Sequence, residues 1–308
     1  MNYAFLFPGQ GSQVIGMGKD LFDSFTTARN RFTQADAFLS RELTRIIFEG
    51  PAEALTLTSN TQPALFTVEA VITDLLAEKG VIPAIAAGHS LGEYSALYSA
   101  GVVSFEDGLM LVARRGELMA AAGAKQPGTM AAIIGMEQSK IEEVLKGITS
   151  GIVVAANQNA PDQTVISGDI SAVNDACVAL KVAGAKRAIS LPVSGAFHSP
   201  LMQSTADKIA GLLATITFNA PKCPIIPNVT ARPETDPETL RELLVKQLVS
   251  PVRWVDSMMT LAAAGGRVQC IEAGPGSVLR GLAKKCSESL TVVAADTATN
   301  ISFLLDNQ

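Results

Sequence analysis

The sequence predicts an α/β fold with a mainly parallel sheet, interrupted by a small inserted domain. Apolar runs of strand length alternate with amphipathic helical segments along most of the 308 residues, which is typical of a parallel sheet covered by helices. Residues 124–192 break this alternation, because two strand-like runs follow each other there. The length agrees with two units, since compact domains usually contain roughly 100–200 residues.

The part of the chain before the insertion predicts two strands and several helices. A short apolar run at residues 3–7 predicts a strand, and the prolines and glycines after it predict a sharp turn. The clearest helix begins near residue 60, because apolar side chains recur there every three to four positions. A second strand at residues 82–87 leads directly into the segment Gly88-His89-Ser90-Leu91-Gly92 and a further helix.

Residues 124–192 predict a separate small domain. Their elements follow the order strand, helix, strand, strand, helix, strand, which is that of a ferredoxin-like unit. The segments 123–128 and 192–195 flank it and are expected to act as hinges. We therefore expect a large domain made of residues 1–123 and 193–308, with the small domain inserted between these two parts.

Helices and strands alternate again after the insertion. Helices are predicted at residues 200–214, 237–248, 251–264 and 276–286, and strands near 225–228, at 268–272 and at 290–294. This return to the first pattern completes the predicted large α/β domain.

Composition excludes several classes of protein. With 48% hydrophobic and 17% charged residues, the chain can bury a sizeable core and is not disordered. No run of about 18 apolar residues predicts a membrane span, and the N-terminus lacks the basic segment of a signal peptide. A net charge of −5 argues against nucleic acid as a partner. The four cysteines lie far apart, which predicts reduced thiols in a cytoplasm and argues against a metal site.

The segment around Ser90 has the form of a nucleophile elbow. Glycines two residues on either side of the serine permit a tight turn that leaves its hydroxyl exposed at a helix N-terminus. The helix dipole there favours a developing negative charge. The pentapeptide alone is a weak signal, because chance would produce it in roughly one chain in seven of this composition. The strand before it and the helix after it are what favour a catalytic role.

The chain contains only two histidines, which limits the choice of a base for Ser90. His89 adjoins the serine inside the turn, so a structural, hydrogen-bonding role is favoured for it. His198 lies in a loop of small residues before a helix. It could cap that helix at the surface, but as the only other imidazole it is preferred as the general base. No single Asp or Glu presents itself as the third member of a triad, so a backbone or amide oxygen is expected to orient the imidazole.

Arg115 indicates what kind of substrate is bound. It shares a helix face with Leu111 and Leu118, and a half-buried guanidinium needs an anion such as a carboxylate. An internal salt bridge is the commoner alternative for such an arginine. The functional interpretation gives the acyl substrate a free carboxylate.

A glycine-rich loop and two pairs of basic residues each have a structural and a functional interpretation. The loop with Gly9 and Gln10 is either a plain tight turn or a source of backbone N–H groups for an oxyanion hole. It lacks the glycine pattern of a nucleotide-binding loop. The basic pairs Lys284-Lys285 and Lys186-Arg187 either face solvent or help to dock an anionic partner.

Six motifs in this order resemble the malonyl-CoA:acyl carrier protein transacylases. They are Phe7-Pro8-Gly9-Gln10-Gly11-Ser12-Gln13, Gly88-His89-Ser90-Leu91-Gly92-Glu93, Arg115-Gly116, Gly195-Ala196-Phe197-His198-Ser199, Gln247 before Ser250-Pro251-Val252, and Glu272-Ala273-Gly274-Pro275-Gly276. The resemblance covers essentially the whole chain. It implies an α/β-hydrolase-like core with an inserted ferredoxin-like subdomain. It also implies a cofactor-free, ping-pong transfer of malonyl from malonyl-CoA to acyl carrier protein, supplying fatty acid synthesis.

The resemblance also implies roles for individual residues. Ser90 is expected to be the malonylated nucleophile, with His198 as its base, oriented by a main-chain or amide oxygen of Gln247. The N–H groups of Gln10 and Leu91 are expected to form the oxyanion hole. The substrate is expected to contact Arg115, Gln247, Gln62, Asn159 and Phe197.

The bulk of Phe197 is expected to disfavour a methyl branch on the acyl group. A monomer in the cytoplasm is expected, with no membrane or nucleic acid partner. A free-standing acyltransferase of a polyketide synthase and a serine thioesterase or hydrolase stay open as alternatives.

Overall fold

A computed structural model of the chain describes residues 3–193, 195–263 and 268–306. Its strands are β1 (Tyr3–Phe7), β2 (Pro83–Gly88), β3 (Gly128–Ile134), β4 (Val153–Ala160), β5 (Gln163–Asp169), β6 (Arg187–Ser190), β7 (Ile225–Ile226), β8 (Val268–Glu272) and β9 (Leu290–Ala294). Its α-helices are α1 (Lys19–Ser24), α2 (Thr26–Leu39), α3 (Leu43–Glu49), α4 (Ala52–Thr56), α5 (Thr58–Ala77), α6 (Gly92–Ser99), α7 (Phe105–Lys125), α8 (Gln138–Lys146), α9 (Ile170–Val182), α10 (Gln203–Leu213), α11 (Pro237–Gln247), α12 (Trp254–Ala262), α13 (Val278–Cys286) and α14 (Ala298–Asp306). Within these residues no helix is both long and apolar enough to cross a membrane.

The larger sheet is parallel, as the alternation of strands and helices predicts. Its five strands stand in the order β7-β2-β1-β8-β9, and each neighbouring pair is parallel. Successive side chains of a strand point to opposite faces, and β1 accordingly serves two cores. Phe5 and Phe7 pack in the core that contains α5, whereas Leu6 packs in the core that contains Trp254. The sheet is therefore covered on both faces, which leaves the carboxyl ends of its strands for a site.

The ends of β1 and β2 are level with each other. Phe7 pairs with Gly88 in the parallel register, and the N–H of His89 donates to the Phe7 carbonyl with 2.9 Å between the atoms. The loop after β1 and the turn after β2 consequently lie side by side at one edge of the sheet.

The smaller sheet is antiparallel and has the strand order β4-β5-β3-β6. With α8 and α9 against it, the chain order is the predicted β-α-β-β-α-β of a ferredoxin-like unit. The predicted α/β class, with a parallel sheet and this second sheet, is confirmed. The boundaries at residues 124 and 192 stay a prediction: α7 runs on to Lys125, and Ser194 in the second predicted hinge lies outside the described residues.

Main-chain hydrogen bonds connect the small sheet to the large domain. The N–H of Val252 donates to the Ala156 carbonyl at 2.8 Å, and the N–H of Gln158 donates to the Val252 carbonyl at 2.9 Å. Asn157 therefore forms a bridge from β4 to the segment before α12. Asn157 and Asn159 of β4 consequently line the same cavity as Ser90 and Leu91, which follow β2.

Several elements after residue 200 differ from the prediction, and a long-range contact explains the start of one of them. The helix predicted at 251–264 begins at Trp254, because Val252 is paired with β4; its last predicted residue, Ala264, lies outside the described residues. The strand predicted near 225–228 contains only Ile225 and Ile226. The helix predicted from residue 200 begins as a 3₁₀ turn before α10, and α14 was not predicted.

Candidate active site

Ser90 lies at the turn between β2 and α6, in a conformation that only its neighbours make possible. Its φ of 52° is in the left-handed region, which non-glycine residues rarely adopt. A Cβ on Gly88 would lie 1.9 Å from the carbonyl carbon of Gly92, and one on Gly92 would lie 2.1 Å from the Phe7 carbonyl oxygen. Both positions therefore require glycine, which is the local reason for the elbow sequence.

His198 is in direct contact with the serine. Its Nε2 lies 2.8 Å from Ser90 Oγ, and its Nδ1 lies 2.9 Å from the main-chain oxygen of Gln247. A carbonyl oxygen only accepts hydrogen bonds, so Nδ1 carries the proton and Nε2 can accept the one on the serine hydroxyl. The orienting group is thus a backbone oxygen.

The imidazole of His198 is neutral in this environment. Burial and the nearby cation of Arg115 lower its pKa to about 3. Near pH 7 the ring therefore has a free lone pair on Nε2, which a general base requires.

Arg115 extends from α7 into the same site and is only 1% exposed. Its Nη2 donates to Ser90 Oγ and to Gln247 Oε1, with 3.0 Å to each oxygen. Among the described residues no carboxylate forms a salt bridge with it, and its Nε has no partner there. Burial lowers the pKa of this guanidinium. The internal salt bridge is therefore not found among the described residues, and a buried cation that lacks one favours an anion-binding role.

A cavity of about 160 Å³ opens beside Ser90. This volume is similar to that of an engineered cavity that holds benzene, so a three-carbon acyl group fits. The polar side of the cavity includes Ser90, Arg115 and His198. The apolar side is formed by Met119, Met130, Val165, Leu191, Val193 and Phe197. The cavity is therefore lined by α7 of the large domain and by β3 and β5 of the small sheet.

Gln10 and Leu91 line the cavity from the loops after β1 and β2. The two loops touch closely, since a Cβ on Gly9 would lie 2.4 Å from the His89 carbonyl oxygen. Among the hydrogen bonds between described residues, neither the Gln10 N–H nor the Leu91 N–H has a protein acceptor. Two unused donors beside a nucleophile are what an oxyanion hole requires.

Three other predicted substrate residues, Gln62, Asn159 and Phe197, also line the cavity. The Gln62 amide donates to the Met119 sulfur at 3.3 Å; its Oε1 is buried without a partner in the described part of the chain. Asn159 Oδ1 lies 2.8 Å from His89 Nε2. His89 thus makes the hydrogen bond that its predicted structural role requires.

The predicted docking residues lie away from this cavity. Lys284, Lys285, Lys186 and Arg187 are exposed, and none of them lines it. Lys285 forms a salt bridge with Asp162 at 3.1 Å. Lys284 and Lys285 are in the last turn of α13, whereas Lys186 and Arg187 are at the start of β6.

Two site residues were missed from the sequence. Asn228 Oδ1 accepts the N–H of Ser90 at 2.7 Å, and Glu93 accepts hydrogen bonds from Asn228 and Gln247. Burial raises the pKa of Glu93 to about 7, although the hydrogen bonds from Asn228 and Gln247 oppose the shift. Glu93 belongs to the elbow motif and could have been noticed there. Asn228 lies 138 residues from Ser90, and no local pattern marks it.

The chain is similar to acyl transferases over nearly its whole length. The model of the family described as acyl transferase domain matches residues 4–302. A malonyl CoA-acyl carrier protein transacylase of Bacillus subtilis is 44% identical over 98% of this chain and 96% of its own. One of Escherichia coli K12 is 44% identical over 99% of both chains.

Solved structures show the same similarity. An acyl carrier protein S-malonyltransferase of Vibrio cholerae has a TM-score of 0.94 at 41% identity, with 99% of this chain and 100% of its own covered. A malonyl-transacylase in complex with its type II PKS acyl-carrier protein has a TM-score of 0.96 at 40% identity, with 100% of both chains covered.

Proposed function

This chain belongs to the acyl transferase domain family, and we propose that it uses Ser90 to carry a malonyl group from malonyl-CoA to the thiol of acyl carrier protein. Relatives at 44% identity are malonyl CoA-acyl carrier protein transacylases, and the chain is an acyltransferase of that kind. The single observation that carries the assignment of the site is the buried Arg115 Nη2, 3.0 Å from Ser90 Oγ. This contact places a cation beside the nucleophile, where it can bind the free carboxylate of a diacid substrate.

In the first half of the reaction Ser90 is acylated. Its hydroxyl proton moves to His198 Nε2 while Oγ attacks the thioester carbonyl carbon of malonyl-CoA. The oxyanion of the tetrahedral intermediate accepts hydrogen bonds from the N–H groups of Gln10 and Leu91. The carbon–sulfur bond then breaks, and the CoA thiolate leaves with the proton from His198.

In the second half the acyl group passes to the carrier protein. The thiol of its phosphopantetheine gives its proton to His198 and attacks the carbonyl carbon of malonyl-Ser90. The same two N–H groups bind the second oxyanion. Collapse of this intermediate breaks the bond to Ser90 Oγ, which takes the proton back from His198.

Arg115 selects the substrate in this scheme. The malonyl carboxylate is the missing anion for the guanidinium, and a charge-assisted pair of this kind is about twice as strong as a neutral hydrogen bond. Phe197 limits the width of the cavity beside the carbon between the two carbonyl groups. Gln62 and Asn159 complete the polar lining of the cavity.

The wider setting is also part of the proposal. We expect the enzyme to act as a cytoplasmic monomer without a cofactor and to supply malonyl units for fatty acid synthesis. Docking of the carrier protein or of the CoA phosphates would involve some of Lys284, Lys285, Lys186 and Arg187. A thioesterase or hydrolase would not need the buried cation beside its serine.

Mass spectrometry of the intact protein tests the nucleophile. After incubation with malonyl-CoA, the wild type should gain one malonyl group on Ser90, and holo acyl carrier protein should remove it as malonyl-carrier protein. Ser90→Ala should gain none. Ser95→Ala is the matched control, because this buried serine of α6 bonds to Glu69 and not to the site. Labelling of Ser90→Ala at the wild-type level would reject Ser90, and release of free malonate instead of malonyl-carrier protein would indicate a hydrolase.

A further inference from the structure

A buried polar cluster lies directly beneath Ser90 and takes no part in the proton transfers described above. It consists of Asn228 after β7, Gln247 at the end of α11 and Glu93 in the first turn of α6. All three side chains are buried, at 0%, 0% and 1% exposure. Buried polar groups are costly unless they are hydrogen-bonded, so the partners of this cluster indicate what it is for.

The Asn228 amide binds the elbow on both sides of the strained turn. Its Nδ2 donates to the Gly88 carbonyl at 2.6 Å, and its Oδ1 accepts the N–H of Ser90 at 2.7 Å. One of these backbone groups is at the end of β2 and the other is in the turn after it, and both obtain a partner from this single side chain. The amide has one orientation only, since a carbonyl needs a donor and an N–H needs an acceptor. Asn228 thereby stabilises the left-handed conformation of Ser90.

Gln247 connects the nucleophile, the base and the cation. Its Nε2 donates to the Ser90 carbonyl at 2.9 Å, its Oε1 accepts from Arg115 at 3.0 Å, and its main-chain oxygen holds His198. A flipped amide would turn Nε2 towards the guanidinium and lose both side-chain contacts.

Glu93 supports this orientation from a third side. Its Oε2 accepts a hydrogen bond from Gln247 Nε2 and another from the N–H of Asn228, with 2.9 Å in each case. Above its pKa of about 7 the carboxyl is ionised and only accepts hydrogen bonds, so it then requires that the NH₂ end of Gln247 faces it. One carboxylate oxygen therefore anchors both residues that hold the Ser90 main chain.

We propose that Asn228 and Glu93 are positioning residues of the acyl transfer: Asn228 holds Ser90 in its attacking conformation, and Glu93 anchors Asn228 and orients Gln247. The proposal rests on the proposed role of Ser90 as nucleophile. Neither side chain lines the substrate cavity. Their removal should therefore slow the chemical step and leave the binding of malonyl-CoA largely unchanged.

Rapid-quench measurement of acyl-enzyme formation separates these two effects. For Asn228→Ala we expect the maximum rate of Ser90 malonylation to fall about 100-fold, the usual cost of a nucleophile misplaced by about 1 Å. The malonyl-CoA concentration at half-maximal rate should stay within about twofold of wild type, because Arg115 is not touched. At pH 8, above the pKa of Glu93, Glu93→Gln keeps the shape but removes a charge that helps to orient Gln247; we expect a loss of about tenfold, the lower end for a hydrogen bond to a charged group.

A matched control identifies a purely structural effect. Glu69→Gln makes the same change at another fully buried carboxyl, whose partner Ser95 also lies in α6. We expect this control to lower the melting temperature yet keep the wild-type rate of malonylation. Asn228→Asp serves as the second variant if Asn228→Ala does not fold; it keeps an acceptor for the Ser90 N–H and loses the donor to Gly88. Its rate should lie between those of Asn228→Ala and the wild type.

The outcomes distinguish this proposal from the proposed function. If the wild type itself forms no malonyl-Ser90, the proposed function fails. If the wild type forms it and folded Asn228→Ala or Asn228→Asp does so within about threefold of the wild-type rate, the positioning role of Asn228 is wrong. A rate loss in Glu69→Gln equal to that in Glu93→Gln would reject the role of Glu93.

Discussion

Arg115 donates a hydrogen bond from Nη2 to Ser90 Oγ, with 3.0 Å between the two atoms. The cation expected to hold the substrate carboxylate is therefore in direct contact with the nucleophile. Gln247 Oε1 is its other acceptor, so two neutral oxygens hold a charge that a carboxylate would bind more strongly. Binding of a diacid should draw the guanidinium away from Ser90 and leave the hydroxyl to His198.

Replacement of Arg115 should change which acyl group is transferred. For Arg115→Ala we expect kcat/KM for malonyl-CoA to fall about 100-fold, the usual size of losing one partner of a buried charge pair. The value for acetyl-CoA should be unchanged or higher, because Ser90 loses a competing donor. Steady-state assays with both thioesters check this. Arg114→Ala is the control, since Arg114 is exposed and pairs with Glu117; an unchanged malonyl-to-acetyl ratio in Arg115→Ala would contradict the prediction.

Phe197 should determine tolerance to a methyl branch. Phe197→Ala widens the cavity, and we expect the kcat/KM ratio of methylmalonyl-CoA to malonyl-CoA to rise about tenfold. This is the size of effect that one methyl group in a binding pocket has on such a ratio. The variant should also lose about 3 kcal/mol of stability, since a buried phenyl ring is removed. Phe218→Ala provides the comparison, because Phe218 is similarly buried, at 8% against 7% exposure, but does not line the cavity. If both variants give the wild-type ratio, Phe197 does not set specificity.

The buried carboxyl of Glu93 should make stability fall as the pH rises. Its pKa is raised from an ordinary 4.5 to about 7. Between these values the folded state binds a proton that the unfolded state has lost, so the free energy of unfolding decreases with increasing pH, by about 3 kcal/mol in total. Urea unfolding at pH 5 and pH 8 measures the difference. Glu93→Gln lacks this titration, so its change in unfolding free energy between the two pH values should differ from that of the wild type by this amount. Other titrating groups, such as His198, contribute equally to both proteins. The same pH dependence in both proteins would count against the raised pKa.

Basic side chains at the surface should influence the second substrate. Charge reversal of Lys284, which has no salt-bridge partner within the described residues, should raise the KM for acyl carrier protein several-fold at low salt and less at high salt. Reversal at Lys285 should have a smaller effect, because Asp162 already pairs with it. Reversal of Lys186 and Arg187 tests the other predicted docking pair. An unaltered carrier-protein KM in all of these variants would exclude both pairs from docking.

Much of the fold could be predicted because its signals are local. The strands predicted at residues 3–7, 268–272 and 290–294 are found with the same bounds, since each is a short apolar run that turn-forming or polar residues end. The order of elements in the small sheet follows from the same alternation. Ser90 could be recognised as a candidate nucleophile for a related reason, because the two glycines of its motif lie within two residues of it.

The support beneath Ser90 could not be predicted because its parts are distant in sequence. Asn228 follows a strand of only two residues, β7, and reaches the elbow from this neighbour of β2 in the sheet. Gln247 is 157 residues from the carbonyl that it binds. Such contacts depend on the order of strands in the sheet and on the packing of α11. Neither hydrophobic periodicity nor a short motif encodes them.

The main-chain bridge at Val252 ties the small sheet to the domain that carries Ser90. Two hydrogen bonds join this residue to Ala156 and Gln158, and Asn157 and Asn159 of the same strand line the cavity. The wall that β4 gives the cavity is therefore anchored by the backbone and not only by side-chain packing. The fit of the acyl group consequently depends on a residue, Val252, that does not itself line the cavity.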